Sequence, residues 1–227
     1  MDSYIIIYLL ACFSLIITLF ANIYINVNYS RFSKIKNKQN LTGKDVARII
    51  LDKNNLSDIE INKVGGKLTD YYDPRNKSVN LSTSIYEENS ISSLAVAAHE
   101  CGHAIQDKDD YKFMIIRSKL VPLVNLSSKL GYIAILIGAI FTLTNIIYIG
   151  IALEAMILLF QFITLPVEFD ASKRALKELK ILNLLDEKEL KKAKKVLTAA
   201  AFTYVASVLT TIIEILRLVL IFTRRDD

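Results

Sequence analysis

Residues 4–25 run from Tyr4 to Ile25 without a single charged side chain. A helix rises roughly 1.5 Å per residue, so about 20 apolar residues cross the hydrocarbon core of a bilayer. A chain that opens this way is expected to place its first helix through a membrane. A cleaved secretory signal would want a positive start, a shorter apolar core and a small-residue cleavage site. Here Asp2 precedes the run, and Arg31, Lys34, Lys36 and Lys38 follow it. That order predicts an uncleaved anchor with its amino end outside.

A hydrophobic content of 52% would suit a soluble domain or a membrane protein, so the distribution of apolar residues decides. It is blocky. Apolar material resumes at about 120–143, about 146–166 and 197–222. The second span has the least certain start, because Lys129 falls within it and only Leu130 to Thr144 are free of charge. A lysine near a helix end can snorkel to the interface, which preserves the span. The formal charge of +5 does not imply a nucleic-acid partner, since the basic residues gather beside the apolar runs, where topology accounts for them. Both the polar stretch 31–118 and the net-basic stretch 167–196 are therefore expected on the cytoplasmic side. Spans two and three form a hairpin that supplies the two crossings between them, and its outer turn, Thr142 to Tyr148, is uncharged. No internal repeat suggests a repeat-built transporter.

Within the polar stretch, Thr42 with Asp45 three residues on marks a helix start, and Val46, Ile49 and Ile50 give that helix one apolar face to about Lys53. Lys67 to Tyr72 and Ser78 to Leu81 are β-capable runs flanking Asp73-Pro74-Arg75-Asn76, a turn sequence. Ser92 or Ser93 can cap a further helix that reaches about Gln106. Cys12 and Cys101 read as free thiols, too few for a disulfide framework.

That last helix contains His99-Glu100-Cys101-Gly102-His103. Two histidines at i and i+4 project from one helix face and can bind one metal through both imidazoles. Glu100 lies beside that face, where it can take a proton from a metal-bound water without being a ligand. These are the chain's only histidines. A catalytic zinc needs a third protein ligand, which must then be Asp or Glu, or less readily Cys. Cys101 lies about 200° round the helix from His99 and should point away. A third histidine in the short spacing of other zinc peptidases is excluded, because Gln106 and Asp109 stand where Gly and His would fall. Glu168, in Leu165-Pro166-Val167-Glu168-Phe169-Asp170-Ala171-Ser172, is the preferred carboxylate, since the hairpin returns it to the side of the His99 helix. Asp109 is the rival.

The phrases Leu68-Thr-Asp-Tyr-Tyr-Asp-Pro-Arg75, Ser93-Leu-Ala-Val-Ala-Ala-His-Glu-Cys-Gly-His-Ala104, Arg117-Ser-Lys, Thr164-Leu-Pro-Val-Glu-Phe-Asp-Ala-Ser172 and Leu197-Thr-Ala-Ala-Ala-Phe-Thr-Tyr204 resemble the bacterial YugP-like neutral zinc metallopeptidases. The resemblance covers nearly all of the chain after the first span. It implies that His99 and His103 are zinc ligands and Glu100 the catalytic base. Wider relatives, membrane peptidases of the HtpX and prenyl-protein protease kind, take a third ligand from a Glu after a transmembrane hairpin, followed four residues on by Asp. Glu168 matches that ligand. The residue four on is Ser172, so the second carboxylate is either absent or replaced by Asp170.

The expected protein is mainly α, with about four transmembrane helices and a small α+β zincin-like cytoplasmic region. Its parts are an anchor (1–30), the zincin-like region (31–118), a hairpin (119–166), a basic loop with Glu168 (167–196), and a last span and tail (197–227). The expected activity is a Zn2+-dependent endopeptidase in the cell membrane, acting on protein or peptide substrates, membrane proteins among them, with no nucleic-acid partner. Tyr71, Tyr72 and Arg75 are candidates to stabilise an oxyanion, and a strand such as Lys67 to Tyr72 could pair with an extended substrate. Glu154, Glu214 and Arg217 sit at membrane depth, and the last two, three apart, are expected to pair. The competing reading is a membrane scaffold or transporter that holds zinc without catalysis. A closed structural site would need no acid at Glu100.

Overall fold

A computed structural model describes residues 3–223. Asp2, which bears on the orientation of the first span, and the tail beyond Thr223 lie outside the described residues. The element order is α1 (Ser3–Phe32), α2 (Gly43–Lys53), β1 (Glu60–Val64), β2 (Tyr71–Asp73), β3 (Ser78–Ser82), α3 (Thr83–Glu87), α4 (Ile91–Lys108), α5 (Lys112–Ile140), α6 (Thr144–Ile181) and α7 (Glu187–Thr223). Helices α1, α5, α6 and α7 each contain a stretch long and apolar enough to cross a membrane.

The chain divides into two compact units. One comprises residues up to Asn22, Ile116–Leu165 and the part of α7 from Thr203 onward. Its large side chains, such as Phe13, Leu19, Ile133 and Phe162, are exposed, the surface expected of helices that meet acyl chains. Small residues let α5 and α6 approach closely: a Cβ added at Gly150 would lie 3.0 Å from the Gly131 carbonyl oxygen. Arg217 donates to Glu214 at 2.6 Å, the expected pair.

The other unit comprises Ile23–Ile115 and Pro166–Phe202. Thr42 caps α2 in a full capping box with Asp45, as its sequence predicts. β2 and β3 form the expected antiparallel hairpin, with Tyr72 opposite Val79. The sequence reading began the first of these strands at Lys67, but pairing starts only at Tyr71. β1 runs parallel to β3 and completes a sheet in the order β1-β3-β2, so β2 is an edge strand. Val79 and Leu81 enter a core shared with Val46, Ile50, Leu51, Ile85 and Leu94.

Two local expectations are corrected. The cap of α4 is Ser90, whose hydroxyl accepts from the Ser93 N–H at 3.0 Å, while Ser92 and Ser93 lie inside the first turn. The stretch 167–196, expected as a loop, is mostly helical: α6 passes through Pro166 and ends at Ile181, and α7 starts at Glu187. The physical cause is a buried stripe on α6, Val167, Ala171, Ala175 and Leu179, spaced by four and fully enclosed. Proline removes one backbone bond, and the packing of the following turns holds the helix together.

Candidate metal centre

Two helices build the site. On α4, His99, His103 and Gln106 fall at i, i+4 and i+7, one face of a helix. On α6, Glu168 and Ser172 fall at i and i+4. The helices can bring these faces together because α4 carries Gly102 between its two histidines. A Cβ built on Gly102 would stand 2.5 Å from the Ala171 carbonyl oxygen and 3.2 Å from its Cα. Only a residue without a Cβ permits that approach.

His99 Nε2 lies 3.2 Å and His103 Nε2 3.6 Å from Glu168 Oε2. The three offer one ligand atom each within 4.8 Å of one another. A tetrahedral zinc with bonds of about 2.0–2.1 Å places neighbouring donors about 3.3–3.4 Å apart, a value that the two separations from Glu168 bracket. The donor chemistry fits as well, since two imidazoles and one carboxylate suit a borderline-soft divalent metal. The Glu168 side chain is 3% exposed and that of His99 14%, which leaves the group enclosed but open on the His99 side. Asp109 is elsewhere: it caps α4 and pairs with Arg174.

Glu100 is buried beside this group. Burial pushes its carboxyl up to about 7, with the neighbouring charge of Glu168 adding to the rise and His99 opposing it. A carboxyl poised there can exchange a proton near neutral pH. Cys101 faces the other way, its thiol reaching the Ala47 carbonyl at 3.6 Å, and burial pushes its pKa up.

Hydrogen bonds behind the two histidines orient them. Ser172 Oγ lies 3.2 Å from His99 Nδ1. Gln106 Oε1 lies 3.0 Å from His103 Nδ1, and Gln106 Nε2 donates to the Val167 carbonyl at 2.8 Å and to Asp170 Oδ2 at 2.9 Å. Asp170 therefore reaches His103 through Gln106. Arg174 donates to the same Asp170 oxygen at 2.6 Å. The sequence reading singled out Asp170 and passed over Gln106 and Ser172. Their signal was present in the helical spacing, three residues after His103 and four after Glu168.

The side chains of Tyr72 and Arg75 are engaged in other contacts, and that of Tyr71 is exposed. The Tyr72 hydroxyl donates to Asp107 at 2.8 Å, and burial followed by that partner raises its pKa. Arg75 donates to Asp73 at 3.1 Å and is otherwise exposed. Tyr71 lines a polar cup of about 420 Å³ with Glu60, Asn62 and Asn80.

Residues 6–223 match the family described as "Putative neutral zinc metallopeptidase". The chain belongs to this family. Among curated relatives of this chain, "Putative membrane protease YugP" of Bacillus subtilis (strain 168) is 39% identical over 211 residues, covering 93% of this chain and 94% of the relative. No solved structure matches.

Proposed function

We propose that this chain is a multi-pass membrane endopeptidase that holds one zinc ion on His99, His103 and Glu168 and uses Glu100 as general base. The observation that carries the reading is the convergence of three donor atoms, two from α4 and one from α6, within 4.8 Å of one another, where one ion can reach all of them. Zinc bound there would supply Lewis-acid polarisation of a peptide carbonyl and acidify a water. The chain's own residues do the rest. Glu100 takes the proton released by the attacking water and returns it to the leaving amine. The set of three protein donors leaves a position for water, which distinguishes this site from a closed structural one.

β2 is an edge strand, and the Tyr72 backbone N–H acts on Glu100. An extended peptide pairing along that edge would lie beside the general base, which favours protein or peptide substrates, membrane proteins among them. The active site faces the cytoplasm, a placement that rests on the basic residues flanking the apolar segments. Nucleic acid is not a partner.

The test is cleavage of an unfolded protein by the chain purified in detergent. Activity should vanish on chelation and return with stoichiometric zinc. Cleavage indifferent to a strong chelator would contradict the reading.

A further inference from the structure

Gln106 is fully buried, and its amide has only one workable orientation. Its Nε2 faces the Val167 carbonyl at 2.8 Å and the Asp170 carboxylate at 2.9 Å. Both partners accept and neither donates, so they take up the two amide hydrogens. Turning the amide over would set its oxygen against two acceptors in a buried place, at a cost no neighbour offsets. The oxygen must therefore face His103, where it lies 3.0 Å from Nδ1. An amide oxygen can only accept, so His103 Nδ1 carries the proton. In a neutral imidazole that leaves the lone pair on Nε2, the atom turned toward Glu168.

The two histidines are held differently. His99 Nδ1 faces the Ser172 hydroxyl at 3.2 Å, and a hydroxyl can donate or accept, so it permits either tautomer. Gln106 permits one. Asp170 matters here through Gln106 rather than through a histidine, and Arg174 holds its carboxylate at 2.6 Å.

We propose that Gln106 is a positioning residue for the metal, fixing His103 with Nδ1 protonated and Nε2 presented as ligand. The proposal rests on the zinc reading above and adds to it the device that selects the tautomer. Outer-shell partners of metal-bound histidines change affinity by roughly 10- to 100-fold when removed. Gln106→Leu keeps the bulk and removes the acceptor.

The experiment measures zinc dissociation constants by competition with a chromophoric chelator, for wild type and Gln106→Leu in detergent. Thermal unfolding of the metal-free proteins is recorded alongside. Gln106→Leu should bind zinc roughly 10- to 100-fold more weakly. Because the chain has two histidines, ¹⁵N-histidine labelling yields two rings in the zinc-loaded protein. The Nδ1–H of His103 should lose its hydrogen-bonded downfield shift in Gln106→Leu while the His99 ring is unchanged, a selectivity that a merely structural role would not produce. If Gln106→Leu fails to fold, the wild-type spectrum still decides: a solvent-exchanging His103 Nδ1–H in wild type overturns the proposal. Equal zinc affinity in wild type and Gln106→Leu overturns it and leaves the zinc reading intact. A wild-type chain that binds no zinc overturns both.

Discussion

Replacing Gly102 by alanine tests whether the crossing of α4 and α6 sets the metal site. The added Cβ would meet the Ala171 carbonyl oxygen at 2.5 Å, and ordinary contact begins at 3.4 Å, so the helices must part by about 0.9 Å there. The obstacle is backbone, which cannot swing aside as a flexible side chain would. Gly102 stands between His99 and His103, and Ala171 is three residues beyond Glu168, so the separation is imposed at the site itself. Donor separations of 3.2 and 3.6 Å would open by a large part of that displacement. Metal sites tolerate only about 0.2 Å in their bonds. Overpacking of this kind costs about 1–3 kcal/mol in fold stability, and a comparable loss from zinc binding means roughly 5- to 150-fold weaker affinity. The assay is zinc affinity by chelator competition, with metal-free thermal unfolding beside it. Gly65→Ala serves as control, because nothing lies within 4 Å of a Cβ there, and it should leave both readings unchanged. A Gly102→Ala chain that binds zinc as tightly as wild type would refute the argument that this approach builds the site.

Other predictions follow from the same geometry. Glu168→Ala should lose zinc along with activity, whereas Asp109→Ala should keep zinc, because Asp109 pairs with Arg174 and lies outside the donor group; metal content per chain decides between them. Single cysteines at the exposed positions Lys53 and Lys188, introduced with Cys12 and Cys101 removed, should react with an impermeant reagent only after cells are opened; labelling of intact cells at either position would reverse the proposed orientation.

The four long apolar helices were readable because a bilayer demands length and freedom from charge, and both are visible one residue at a time. So was the His99/His103 pair, whose spacing matches one turn of helix. Glu168 could be chosen because the hairpin limits where the chain re-emerges, and it lies with the histidines. The course of α6 was hidden. Pro166 at the edge of an apolar block reads as a stop, and the lysines of 167–196 read as a loop, yet Val167, Ala171, Ala175 and Leu179 carry a helical period beneath those charges. β1 was missed because Glu60-Ile-Asn-Lys-Val64 has little β propensity of its own; its pairing with β3 is a tertiary effect. The side-chain contact of Tyr72 was likewise not readable, since its partner Asp107 is chosen by how the hairpin packs on α4, whereas Arg75 pairs with Asp73 inside the turn itself.

The central claim is that Glu100 acts on a zinc held by other residues, and one paired measurement bears on it most directly. Zinc content and cleavage of an unfolded protein should be determined together for wild type and Glu100→Ala. The account predicts about one zinc per chain in both proteins, with cleavage lost by several orders of magnitude only in the variant. Proteolysis surviving in Glu100→Ala with its zinc in place would contradict it.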